Sequence, residues 1–220
     1  SIQEKEKTLN VKRTSGGQGD IRYDAAGGIT IEVKNGTVDG TGQTANAFLF
    51  TGGSSNATLI VDGVTFQNFT NTTANSGAVI CVQGTTTALI ENCIFKNNSL
   101  PNGDGGVIYN GCSNLVIKGC AFEGNSCGKA ASGGGVIKNT KPLTINNSVF
   151  KKNHALNGGA VYNSGSATLN INGCAFEENY STSNGGAIYV TNGTLNINDY
   201  EDPESKEFTH TIFKNNGYND

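Results

Sequence analysis

The stretch Gly158-Gly159-Ala160-Val161-Tyr162-Asn163-Ser164-Gly165-Ser166-Ala167-Thr168-Leu169-Asn170-Ile171-Asn172-Gly173-Cys174-Ala175-Phe176-Glu177-Glu178-Asn179 is one unit of a repeat. A glycine pair leads into an aliphatic pair. An aliphatic-x-aliphatic segment follows, and the unit closes on Phe-x-x-Asn. Outward from this copy, the first segment recurs as Ser76-Gly77-Ala78-Val79, Gly105-Gly106-Val107-Ile108, Gly134-Gly135-Val136-Ile137 and Gly185-Gly186-Ala187-Ile188. The second recurs as Leu59/Val61, Ala88/Ile90, Leu115/Ile117, Leu143/Ile145 and Leu195/Ile197. The third places phenylalanine at 66, 95, 122, 150, 176 and 213, at intervals of 29, 27, 28, 26 and 37 residues. The last interval carries an insertion over about residues 199–208.

Each segment is short and alternates apolar with polar, the signature of a strand with one buried face. Nothing of helical length separates the segments, so βαβ units are excluded. Three strands bent around one core, repeated about every 27 residues and stacked ~4.8 Å apart, satisfy both the alternation and the backbone. The expected fold is all-β, a right-handed parallel β-helix of three strands per rung, with the phenylalanines stacked inside it. A single rung cannot bury its own apolar face, so stability comes from stacking. Phe-x-x-Asn recurs with Asn98, Asn125, Asn153, Asn179 and Asn216. Asparagine tolerates left-handed backbone and can bond to neighbouring main chain or to a stacked copy of itself. At the first clear rung this position holds Phe69, which predicts an irregular corner.

Residues 29–220 are assigned to the solenoid, with early strands at Ile29 to Val33 and Ala47 to Phe50. Residues 1–28, carrying Glu4, Lys5, Glu6, Lys7, Lys12 and Arg13, read as a cap or incoming strand over the open end. The chain starts at Ser1 and stops just after a Phe-x-x-Asn corner, so it reads as a piece of a longer solenoid protein.

Composition narrows the function. Of 220 residues, 31 are Gly, only 15% are charged, and the formal net charge is −3. No basic patch points to nucleic acid or to an anionic membrane. Parallel β-helices often cleave pectin-like sugars, and that chemistry needs a basic residue beside an acidic Ca²⁺ site, or two suitably separated carboxylates. The two arginines, Arg13 and Arg22, lie near the start, and Asp62, Glu91, Asp104 and Glu123 are isolated. Glu177 and Glu178 are strand neighbours and face opposite ways. Asn35 to Gly40 resembles a rung of polygalacturonase-type helices, where it is mostly a turn. The acidic residues of the insertion, Asp199, Glu201, Asp202, Glu204 and Glu207, lack a fixed Ca²⁺-ligand spacing and read as a solvated loop. His154 and His210 show no zinc spacing and read as exposed. No catalytic residue, metal or cofactor is assigned.

Cys93, Cys120 and Cys174 stand two residues before a ladder phenylalanine, where other rungs hold Val64, Ser148 and Thr211. This position points inward and takes small residues. Cys93 and Cys120 fall on adjacent rungs, close enough for a disulfide, and buried free thiols are the alternative. Cys81 and Cys112 follow equivalent strands on adjacent rungs, where a disulfide is also allowed. Cys127 has no obvious partner. Eight Asn-x-Ser/Thr sites occur, little above the number that so much Asn, Ser and Thr gives by chance. Thr144, Asn170 and Asn196, with Asn146, Asn172 and Asn198 two residues on, should stack into a flat outward Thr/Asn face. Flat faces of this kind bind ice in some solenoids, but Val116 and Lys118 interrupt this one.

Gly-Gly-Ala-(Ile/Val) and Phe-x-x-Asn, alternating over residues 76–216, resemble the repeats of the chlamydial polymorphic outer-membrane proteins and of related microbial adhesin-like surface proteins. The resemblance covers about two-thirds of the chain. It implies a surface-exposed passenger of an autotransporter that mediates adhesion to host cells, associated with the outer membrane. Nothing in the chain resembles the autotransporter barrel, and the family supplies no catalytic residues.

The expected function is therefore non-catalytic: extracellular adhesion to host or neighbouring cells, through a protein receptor or a cell-surface glycan. A polysaccharide-active enzyme or carbohydrate-binding module, and a structural or fibre-forming solenoid, are the alternatives. Recognition needs something that breaks a uniform repeat. Two features do: the insertion with Tyr200 and Phe208, and the loop from Ser99 to Asp104, with Pro101 as a stiffener and Leu100 expected on the surface.

Overall fold

The computed structural model describes residues 8–9, 21–23, 30–42, 44, 46–52, 57–72, 76–128 and 133–218. They build an all-β solenoid in which strands pair in parallel with their copies one rung away. A middle rung consists of Ile137–Asn139, Leu143–Asn146, Val149–Lys151 and His154–Asn157. The next repeats it as Val161–Asn163, Thr168–Asn172, Ala175–Glu177 and Tyr180–Asn184. From the Phe95 rung onward, each rung therefore has a short fourth strand beyond the three expected, directly after the Phe-x-x-Asn corner. It stacks in its own five-stranded sheet. It escapes a periodicity reading because it is only two to five residues long. Further up the chain the first two strands run together, as Ile80–Glu91 and Ile108–Lys118, with a register shift between Gly84 and Thr87.

Register follows the apolar residues. Phe122 pairs with Phe95 and with Phe150, and Leu143 pairs with Leu115 and with Leu169. A one-residue slip would turn every inward side chain outward, so the alternation fixes the pairing. It also corrects one alignment: Ile80 pairs with Ile108, which sets Gly77 beside Gly105 and leaves Ala78 where other rungs have their second glycine. The phenylalanine rings from Phe66 to Phe213 stack near-parallel, with centroids 4.7 to 5.1 Å apart, close to the spacing of the strands that carry them. All but Phe213 are buried. Ile197 and Phe213 of the last rung are about half exposed and, with Ala187, Ile188 and Leu195, border an open cavity of about 410 Å³.

The two glycines of each pair serve different ends. The first has positive φ, as at Gly134 (78°) and Gly158 (61°), so the chain can turn into the strand. The second is needed for contact: a Cβ on Gly135 would lie 2.0 Å from the Gly159 carbonyl oxygen of the next rung. At the Phe-x-x-Asn corner, the left-handed residue is not the asparagine but the residue before it: Asn97, Gly124, Lys152, Glu178 and Asn215. The asparagine has another task. Asn98, Asn125, Asn153 and Asn179 are fully buried, and each donates its amide to the next asparagine's Oδ1 at 2.9 to 3.0 Å. The irregular corner expected at Phe69 is orderly. The Phe69 N–H donates to Asn98 Oδ1, and its ring fills the core against Gly40, where a Cβ would come within 2.3 Å.

Thr8–Leu9 and Ile21–Tyr23 already pair in parallel with the strands Thr30–Asp39 and Phe48–Gly52. The charged residues from Glu4 to Lys7, with Lys12 and Arg13, lie outside the described residues.

Candidate binding surface

The insertion is a β-hairpin rather than an irregular loop. Tyr200–Glu201 pairs antiparallel with Phe208–Thr209, the one antiparallel pairing among the described residues. Its tip is held by Asp202, whose Oδ1 accepts the N–H groups of Glu204 and Ser205. These bonds lower the Asp202 pKa, and the field of Lys118 adds to them. At the base, His210 Nδ1 and Asp199 Oδ2 are 2.9 Å apart. His210 is thus exposed, as expected, but not idle.

Cross-strand partners share a face, so Tyr200 and Thr209 lie on one side of the hairpin, Glu201 and Phe208 on the other. The first side rests on the solenoid corner at Gly173, where a Cβ would be 2.4 Å from Tyr200 Cβ. Other rungs place either asparagine, as Asn92 and Asn147, or glycine, as Gly63 and Gly119, at this left-handed corner. Here the hairpin leaves room only for glycine. The second side faces solvent, and Phe208 is 67% exposed. The hairpin starts beside Asn198, on the row Lys118, Asn146, Asn172, Asn198, and folds back so that its tip feels the charge of Lys118, three rungs before. It forms a ridge along the solenoid.

Beside the ridge lies the Thr/Asn face. Asn170 Nδ2 donates to Thr144 Oγ1 at 3.3 Å and Asn196 Nδ2 to Asn170 Oδ1 at 2.8 Å. In the second column Asn172 Nδ2 donates to Asn146 Oδ1 at 2.7 Å and Asn198 Nδ2 to Asn172 Oδ1 at 3.0 Å. Both columns are the stacked rows that the sequence predicts.

The second expected contact loop is different. Leu100 is fully buried and pairs with Cys127, so the expectation of an exposed Leu100 is wrong. It belongs to the short fourth strand, whose inward positions were not visible in the three-strand reading. Pro101 is half-buried. Leu100 therefore offers nothing to a partner.

Several acids of the solenoid have local partners. Asp39 accepts from Thr41, Gln67 and Asn68; the Thr41 hydroxyl bond is the largest of the effects that hold its pKa at about 2. Asp62 accepts from Asn92, Glu177 and Glu178 meet Lys151 and Lys152, and Asp104 meets the buried Lys138, which also sits 3.6 Å over the Tyr162 ring. His154 is not exposed: it is half-buried and stacked on Tyr180, and burial lowers its pKa. Among the described residues no three His, Cys, Asp or Glu side chains converge as a metal site would require.

All six cysteines are free and buried. Burial pushes Cys81 up to about 12 and Cys112 and Cys174 up to about 11. Cys81 pairs with Tyr109, whereas Cys112 pairs with Gly84, so these two are offset along the strands and do not face each other. Cys127 donates its thiol to the Gly103 carbonyl. The inward position before each phenylalanine has a role beyond small size. Its side chain accepts the main-chain N–H of the same position one rung earlier: Cys93 to Cys120 Sγ, Cys120 to Ser148 Oγ, Cys174 to Thr211 Oγ1.

A family model described as right-handed β-helix region matches residues 21–201. The chain belongs to the right-handed β-helix family. No curated protein and no solved structure matches it. In this right-handed β-helix the hairpin is the one antiparallel departure from the repeat among the described residues, and it carries Tyr200 and Phe208 of the expected contact residues.

Proposed function

We propose that this right-handed β-helix is a non-catalytic binding module, displayed outside the cell for adhesion to a host or neighbouring cell. The hairpin carries the proposal. A uniform lateral surface offers a partner many equivalent registers, and the hairpin supplies one unique landmark. It places a large aromatic side chain in water, where exposure costs stability that contact with a partner would recover. The hydrogen bonds that Asp39 and Asp62 accept from local donors favour this reading over polysaccharide cleavage, because a carboxylate engaged in structural bonds is poorly placed to move a proton.

The partner is a surface receptor or glycan, and the parent protein is anchored to the envelope. The test replaces residues 199–208 by a corner of ordinary length. Binding of the fluorescently labelled protein to intact cells should fall while the melting temperature stays within a few degrees. Unaltered cell binding would remove the hairpin from the interface.

A further inference from the structure

The outer face of the phenylalanine strands carries two columns with one shared period. The residues on either side of each ladder phenylalanine point outward, and the register stacks them. The residue before the ring is Ile94, Ala121, Val149, Ala175 and Ile212 in successive rungs, so large and small alternate. The residue after it is Lys96, Glu123, Lys151, Glu177 and Lys214, so cation and anion alternate. The two columns keep the same phase: every lysine stands beside a bulky side chain and every glutamate beside an alanine. The rung of Phe66 adds Thr65 and Gln67 to the two columns.

Attraction between neighbouring strands accounts for the charges, as Lys151 and Glu177 show at 3.9 Å. It does not account for the apolar column, which faces water. Ile94, Val149 and Ile212 are 45%, 42% and 45% exposed, so neither the hairpin nor any other described segment covers them. Between these knobs the alanines leave hollows, one rung or ~4.8 Å away.

Two columns that alternate in this way complement a second copy of themselves displaced by an odd number of rungs. Symmetry selects the arrangement. A two-fold axis lying between two such faces, along the strand direction, sets each column opposite its own copy and reverses the order of the rungs. Placed between the Phe122 and Phe150 rungs, it brings Ala121 opposite Val149 and Ile94 opposite Ala175. The same axis brings Glu123 opposite Lys151, Lys96 opposite Glu177 and Gln67 opposite Lys214, and all six rungs overlap. A two-fold axis parallel to the solenoid would instead set the apolar column against the charged one. We infer that this face joins two copies of the chain in an antiparallel, isologous dimer. The columns are ~24 Å tall and ~6.6 Å apart. That footprint is well below the ~800 Å² per partner of a standard interface, so the dimer is a weak one that forms where copies are crowded. It does not depend on what the hairpin binds.

Sedimentation equilibrium tests it. Over about 10 µM to about 1 mM the average mass should rise from monomer toward dimer, as a small interface dictates. Glu123→Lys sets lysine against lysine on both sides of the two-fold axis, and Lys151→Glu sets glutamate against glutamate. Each should weaken dimerisation about tenfold or more. The chain carrying both changes should recover it. An equimolar mixture of the two single variants should form a heterodimer where neither dimerises alone, because each lysine then meets a glutamate of the other chain. Harm done inside one chain, by like charges stacked in its own column, would not be repaired by mixing. Monomer at every concentration, dimers kept by both single variants, or a mixture that stays monomeric would overturn the inference.

Discussion

Asn153 Oδ1 accepts two hydrogen bonds from Asn125, one from its amide and one from its main-chain N–H, both 3.0 Å long. The second amide hydrogen of Asn125 goes to the Phe95 carbonyl of the rung before. One side chain thus ties three rungs together at a corner sealed from water. An unpaired polar group there would cost more than a lone hydrogen bond contributes.

Asn125→Ala should accordingly destabilise the protein by about 1–3 kcal/mol, because the Asn98 N–H loses its buried acceptor. Asn125→Asp should also destabilise, since it replaces the amide donor by a buried carboxyl. A denaturant midpoint for Asn125→Ala equal to that of the parent would mean that the corner is open to water.

The phenylalanine ladder should respond to cavity formation. Phe122 and Phe150 are both buried, and their ring centroids lie 4.7 Å apart. Changing either to alanine should cost about 3–5 kcal/mol. The double variant should cost less than the sum, because the rings contact one another and the second loss begins from a stack already broken. Urea melts of the two single variants and the double variant supply the cycle. Strict additivity would contradict direct stacking.

Asp39 sets an acid limb. Its folded pKa of about 2 lies below the ordinary aspartate value of 3.8. A depressed pKa contributes stability above the unfolded value, and that contribution is lost as pH falls through the folded one. Melting temperature should therefore decline between about pH 4 and pH 2, and Asp39→Asn should make that decline shallower. An unchanged slope in the variant would assign the acid limb to other carboxylates.

Legibility of the fold in the sequence came from positions that face inward on long strands. Leu143, Ile145 and Phe150 announce themselves because every copy is apolar and every interval before the insertion is close to 27 residues. Leu100 was misread because its strand, Ser99–Leu100, has two residues and shows no alternation. A second buried ladder also escaped notice: Asn110 donates to Asn139 Oδ1 and Asn139 to Asn163 Oδ1, each at 2.6 Å. Its signal is present, as the asparagine that follows three of the aliphatic pairs and their neighbours, with Val82 and Val190 in the flanking rungs, but polar residues read as outward by default. The stacking columns of the lateral face could be read because register alone determines them. The hairpin ridge could not, since its seat on Gly173 is a long-range contact between an insertion and a corner.

The claim that this surface binds rather than cleaves is tested most directly by product release. The purified protein is incubated with polygalacturonate, with and without Ca²⁺, and unsaturated ends and new reducing ends are followed over time. The account predicts no release above the uncatalysed background under either condition. Sustained release that disappears on changing one acid, such as Glu123→Gln or Asp62→Asn, would contradict it.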